Sequence, residues 1–290
     1  MATLNKKHSS NIIGNFYVDT TCIDCETCQW MAPEVFREIG NQSIVFHQPD
    51  NHQDQIKALH ALVSCPTSSI GLVEKSDEII KAIDDFPLLI QDNVYHCGFH
   101  SEKSFGAASY FIQRPEGNIL IDSPRFVASL VKKLEEMGGI KYMFLTHIDD
   151  VAEHEKFQKH FNCQRIIHKD EIRESTKNVE IQLSGKENFD LDSQINIIPV
   201  PGHTKGHCVL LYKNKFLFTG DHLAWSDTLE QLYAFKRACW YSWSELYKSM
   251  QKLSEYNFEW VLPGHGIRYH DSIDNMKQEM QKCLNWMVSQ

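Results

Sequence analysis

The sequence predicts an α+β protein in two units, a small cysteine-bearing one followed by a larger one of sheets under helices. Three observations carry this. Cys22-Ile-Asp-Cys25-Glu-Thr-Cys28 and Cys65-Pro66 place four thiols in the first quarter of the chain. Four later apolar runs have strand length, and each delivers a His or Asp from its end: His147, His203, Asp221 and His265. Segments at Ser129–Met137, Ser244–Tyr256 and Asp271–Met287 have the pattern of amphipathic helices.

The whole chain bounds the function. Its 290 residues suit two domains, and a 42% apolar share is enough for proper cores. A net charge of −9 argues against a nucleic-acid or membrane-surface partner, because phosphate needs basic surface. No apolar run approaches the roughly 18 residues of a membrane span. Met1–Gly14 is polar apart from Ile12-Ile13, unlike a secretory leader, so a cytoplasmic location is expected. The nine cysteines are not spaced like a secreted disulfide scaffold.

In the first unit, Phe16-Tyr-Val-Asp19 precedes the Cys-x2-Cys-x2-Cys loop and Pro33-Glu-Val-Phe36 follows it. Ile44–Phe46 reads as a strand, and Gln55–Val63 as a helix running into Cys65. Gly71–Pro87 reads as a last strand, a charged helix and a boundary, which sets the expected units at 1–88 and 89–290. Three thiolates in a tight loop and a fourth from a Cys-Pro turn suit the corners of a cubane cluster. The run resembles single-cluster ferredoxins. Two-cluster relatives place a further Cys-Pro after three more residues, where this chain has Ala32-Pro33, and no second run exists. One [4Fe–4S] cluster on Cys22, Cys25, Cys28 and Cys65 is therefore expected; zinc, or a loop that has lost its metal, is the alternative. Cys97, Cys163, Cys208, Cys239 and Cys283 lie singly, and Cys163 and Cys208 abut apolar strands as small core residues would.

The second unit opens with a hairpin, Ser109–Gln113 and Asn118–Asp122 about Pro115-Glu-Gly. The helix Ser129–Met137 stops at Gly138-Gly139, and the next strand ends at His147. Ile195–Val200 leads into Pro199-Val-Pro-Gly-His203-Thr-Lys-Gly-His207, putting an imidazole at a strand's carboxyl end, where sheet proteins hold ligands. A further hairpin turns at Lys213-Asn214 before Asp221, and Trp260-Val-Leu-Pro-Gly-His265 closes the series. Histidine and aspartate bind zinc or iron.

From about Tyr95 onward these motifs resemble the metallo-β-lactamase superfamily. The resemblance implies a four-layer αββα sandwich with the ferredoxin-like unit at its front. It makes His147 and His203 ligands, Asp221 a bridging carboxylate and His265 the last ligand; Asp122 stands beside the metals without binding them. His207 supports the loop, His222 is structural, and His168 is a core or surface residue. The family's His-x-His-x-Asp-His is broken here, with Asp149, Val151 and Ala152 at the later positions. In one reading Asp149 or Asp150 replaces a missing ligand and His154 reaches back to the metals. In the other, Asp149 or Asp150 caps a helix, with Glu153 completing a capping box around Asp150, and His154 is solvated. The candidate metal set is thus His147, Asp149, Asp150, His154, His203, Asp221 and His265, with Asp221 and Asp150 as catalytic carboxylates. The aromatic stretch Trp225–Trp243 either roofs the pocket or packs against the first unit.

One or two divalent metals, zinc or iron, acidify bound water to a pKa of about 7. The expected function is therefore a metallo-hydrolase of an ester, thioester or lactone-like small molecule. Two histidines and a carboxylate are also the pattern of non-haem iron oxygenases. Iron relatives such as persulfide dioxygenases and flavodiiron proteins make an iron oxidoreductase the alternative, with electrons from the cluster and an electron-transfer partner. A non-catalytic redox or metal sensor is the third reading.

Overall fold

The computed structural model describes residues 2–290. The first unit is a small α+β fold. Phe16–Val18 pairs antiparallel with Ile70–Leu72, tying its two ends together. Phe36–Ile39 and Gln42–Val45 form a hairpin. The helix His52–Ser64 starts where the Asn51 side chain accepts the Asp54 N–H at 3.0 Å, and it delivers Cys65 at its end.

The second unit is a sandwich of two sheets. One has seven strands, in the order Ile181–Leu183, Gln164–His168, Tyr142–Phe144, Ile119–Ile121, Tyr110–Ile112, Val94–His96 and Leu88–Gln91; its first four are mutually parallel. The other has six, in the order Phe189–Asp192, Ile195–Pro199, Cys208–Tyr212, Phe216–Gly220, Trp260–Pro263 and Tyr269–His270. The hairpin between Cys208–Tyr212 and Phe216–Gly220 turns at Lys213 and Asn214, both with positive φ, as a tight two-residue turn requires.

Burial on both faces explains why these strands are nearly all apolar. Side chains alternate, so Tyr110, Ile112, Ile119 and Ile121 meet Leu210, Tyr212, Phe216 and Phe218 between the sheets. Val209, Leu211 and Leu217 face outward onto the helices Trp243–Leu253 and Ile273–Val288. On the opposite outer face, Phe111, Leu120 and Met143 pack against Leu130 and Leu134 of the helix Ala128–Glu136, and against Phe157 of His154–Phe161. That is the αββα order.

The outer core on this side continues without a break into the first unit, joining Phe16, Val35, Leu59 and Phe86. Polar contacts reinforce the junction. The Arg125 guanidinium donates to the carbonyls of Val63 and Cys65 at 3.1 and 3.3 Å, and the His100 backbone N–H donates to the Ser64 carbonyl. Gly106 has a positive φ, and a methyl group there would sit 2.8 Å from the Cys25 sulfur. The two units therefore share packing, as the absence of a glycine- or serine-rich linker predicts. Among the described residues, no helix is long and apolar enough to cross a membrane.

Candidate metal centre

Four strand ends build the site. Tyr142–Phe144 leads to His147, Ile195–Pro199 to His203, Phe216–Gly220 to Asp221, and Trp260–Pro263 to His265. Phe216–Gly220 and Trp260–Pro263 run parallel, so Asp221 and His265 leave the same edge. The His265 Nδ1 lies 2.8 Å from Asp221 Oδ1, while Asp221 Oδ2 stands 3.8 Å from the Nε2 atoms of both His147 and His203. Asp149 Oδ2 adds a contact of 3.5 Å to His203 Nε2 and 3.8 Å to His147 Nε2. Asp150 Oδ2 is 3.9 Å from His147 Nδ1.

The capping reading of Asp150 is overturned. Asp150 is buried, and among the described residues neither of its carboxylate oxygens has a hydrogen-bond partner. Glu153 instead accepts the Phe126 N–H at 2.7 Å. His154 is also corrected. It neither reaches the cluster of metal-ligating residues nor faces solvent: it is buried with Nδ1 3.0 Å from the Arg165 guanidinium, which pairs with Glu180. His168 is buried, and its Nδ1 accepts the Asp170 N–H.

His147 is aimed by its neighbours. Asp122 accepts the Thr146 N–H at 2.8 Å and lies 3.0 Å from the Thr146 hydroxyl, which is 2.9 Å from His147 Nδ1. The hydroxyl has one proton; donated to Asp122, it leaves the oxygen to accept from His147 Nδ1–H and frees Nε2 for a metal. That Nε2 and both ring nitrogens of His203 are buried with no partner among the described residues. His207 Nε2 accepts the Asp221 N–H at 3.3 Å, while His222 is buried with no partner found among the described residues. Glu171, which carries no motif, accepts the Ile148 N–H at 3.0 Å and the Gly206 N–H at 2.6 Å. It ties the loop of His147 to the loop of His203.

The charges of these groups are set by burial and by one another. Burial pulls His147 down to about 4, so its imidazole is neutral. Burial, with Asp221 next, pushes Asp150 well above the usual carboxylate range. Burial opposes ionisation of Asp221 as well, but His265, His147 and His203 outweigh it and hold this carboxyl low. Burial also opposes the charge on His265, but Asp221 outweighs it and raises this imidazole to about 10. The donors converge as His147, Asp149 and His203 in one group and His147, Asp150 and Asp221 in another, with His265 beside Asp221, and such a set fits one or two divalent metals.

The four cysteines Cys22, Cys25, Cys28 and Cys65 line one pocket in the first unit. Backbone donors already face their sulfurs: Ser69 N–H lies 3.2 Å from Cys65 Sγ, and Asp24 and Ser43 N–H lie 3.4 Å from Cys22 Sγ. Burial pushes the Cys25 thiol up to about 11, so its thiolate needs iron to persist. This donor set fits a four-iron cluster.

A cavity of about 810 Å³ opens onto the metal centre. Tyr233, Phe235 and Trp240 line it, so the aromatic stretch Trp225–Trp243 does roof the pocket. Asp24, Cys25 and Glu26 of the cluster loop line the same cavity, opposite Asp149, Asp150, His203, Asp221 and His265.

Residues 104–265, more than half of the chain, match the family described as the metallo-beta-lactamase superfamily. The chain belongs to this superfamily. Residues 18–72 match the 4Fe-4S single cluster domain of ferredoxin I. Among solved structures, this superfamily chain is similar to VMB-1, at 20% identity and a TM-score of 0.54 over 69% of this chain and 95% of that one. It is similar to a metallo-beta-lactamase from Pontibacter korlensis at 16% identity and 0.52, over 70% and 98%. A family protein from Thermus thermophilus follows at 14% and 0.50, over 69% and 81%. At such identities the likeness shows the fold. No curated protein sequence matches the chain. Members of the superfamily are mostly enzymes, hydrolases or oxidoreductases.

Proposed function

We propose that this superfamily member is a non-haem iron oxidoreductase supplied with electrons through its N-terminal cluster. One observation carries the reading: a cluster cysteine, Cys25, lines the very cavity onto which the metal-ligating residues open. Hydrolysis moves no electrons, whereas a redox reaction can use a cluster beside its metal site. The ligand chemistry agrees. Asp149, Asp150 and Asp221 stand with His147, His203 and His265, an oxygen-rich set that suits iron better than zinc. When bound, the cluster supplies single electrons, and iron at the second centre supplies open positions for the molecule to be reduced.

The chain's own residues do the rest. Asp122 and Thr146 fix the tautomer of His147, and Glu171 holds the two ligand loops in register. The cavity has room for an organic substrate rather than a diatomic gas alone, with Phe105 and Trp240 as apolar walls beside His265 and His203.

Metal analysis of anaerobically purified protein tests the reading. Five or six irons per chain and no zinc are expected, about four of them in the cluster. About four irons with stoichiometric zinc would overturn it and return the domain to hydrolysis of an ester, thioester or lactone.

A further inference from the structure

The metal centre and cluster leave one set of buried polar groups unused, at the junction of the two units. Thr27, in the cluster loop, is buried, with its hydroxyl 3.4 Å from the Cys25 sulfur. That hydroxyl lies 3.0 Å from Nδ1 of His100, a residue of the second unit. His100 Nε2 is 2.8 Å from His96 Nε2, and both rings are essentially fully buried. Trp30 packs against both, and the Arg268 guanidinium lies 4.5 Å over Trp30. Burial, then Arg268, pulls His100 down to about 3, so this imidazole is neutral.

A neutral chain of this kind admits two orders of donors, according to which nitrogen of His100 carries its proton, and a bound cluster favours one of them. A cluster thiolate only accepts hydrogen bonds, and as an anion it draws the single Thr27 hydroxyl proton in preference to the neutral His100 Nδ1. The threonine oxygen then accepts from His100 Nδ1–H. His100 Nε2 carries no proton and accepts from His96 Nε2–H. The other acceptor near Thr27 is the Gly106 carbonyl, also at 3.4 Å, and an anionic sulfur outcompetes a neutral carbonyl.

We propose that His100 and His96 of the metallo-β-lactamase domain hold the Thr27 hydroxyl as a hydrogen-bond donor to Cys25, so that the second unit sets the cluster's reduction potential. Hydrogen bonds to cluster sulfurs stabilise the added electron and raise the potential. Both histidines are positioning residues, acting on iron through Thr27. The inference holds whichever reaction the second domain catalyses.

The test is the midpoint potential of the reconstituted full-length protein, read by electron paramagnetic resonance during a redox titration. Only protein with about four irons and four sulfides in the cluster is scored. Thr27→Val should make the potential more negative, and His100→Leu should do the same. The double variant should be no more negative than Thr27→Val alone, because both remove one hydrogen bond. His100→Gln, which keeps an N–H donor, should recover most of the shift. Shifts that add, or a wild-type potential in His100→Leu, would overturn the proposal. Should His100→Leu not fold, resonance Raman spectra in water and D2O decide. The iron–sulfur(Cys) band of the wild type should move on exchange by more than that of Thr27→Val, and equal movement in the two would equally overturn it.

Discussion

At the residue scale the metal centre is a balance between protons and cations. Asp221, outweighing burial, raises the His265 imidazole to about 10, and a metal can take its ring only by displacing that proton. Affinity for the second-domain metal should therefore fall as pH falls, by about tenfold per unit for each proton displaced. Asp150, pushed well above the usual carboxylate range by burial and then by Asp221, is a second group at which a metal competes with a proton. Competition with a chelator at several pH values between about 6.5 and 8.5 measures this fall; a pH-independent affinity would remove His265 and Asp150 from the ligand set. Glu171 makes a separate prediction. Glu171→Gln should lose one of the two amide contacts that hold the ligand loops and weaken the same metal by roughly 10–100-fold, while the cluster absorbance stays unchanged. Chelator competition reads the first effect and the visible spectrum the second.

At the element scale, four strands deliver the candidate ligands to one edge, and small residues let them converge. A methyl group on Gly264 would come within 2.8 Å of Asp150 Oδ2 and 3.0 Å of Asp221 Oδ1. Gly264→Ala should thus empty the second-domain metal site as Asp221→Ala does, while Cys25→Ala should spare that site and bleach the cluster. Iron and zinc analysis of the three variants separates the outcomes, and a Gly264→Ala protein with full metal would show that the carboxylates need no such closeness. The strands and the residues at their ends were legible in the sequence, because apolar runs and Gly-His turns are local signals. Asp150 was not. Its spacing to Glu153 also fits a helix cap, and only the fold shows that the carboxylate is buried against His147. His154 was misplaced because Arg165, its partner, lies on the strand Gln164–His168, where spacing along the chain gives no warning. Glu171 lies outside every motif, since its partners are backbone amides that any sequence supplies.

At the scale of the whole molecule, the cluster fold and the sandwich each had a local signature, whereas the missing flexible linker signalled only that they dock and not which residues meet. Contacts such as Thr27–His100 and Cys25–Gly106 join residues 73 or more positions apart. What the docking implies is a single cooperative unit. The apolar core runs unbroken from Phe16 and Leu59 through Phe86 and Phe99 to Phe111 and Leu120. Phe86 sits at its centre, 1% exposed, with its ring 5.5 Å from that of Phe99 and 5.9 Å from that of His96. Removing that ring leaves a cavity that neither side can fill alone, and Phe86→Ala should cost about 3–5 kcal/mol. Because the core is shared, the loss should fall on both units. Thermal unfolding followed by cluster absorbance and by far-ultraviolet circular dichroism should give coincident transitions in the wild type. Both should move down together in Phe86→Ala. A cluster signal that melts early while the sandwich keeps its wild-type midpoint would mean that the two units fold independently and only touch.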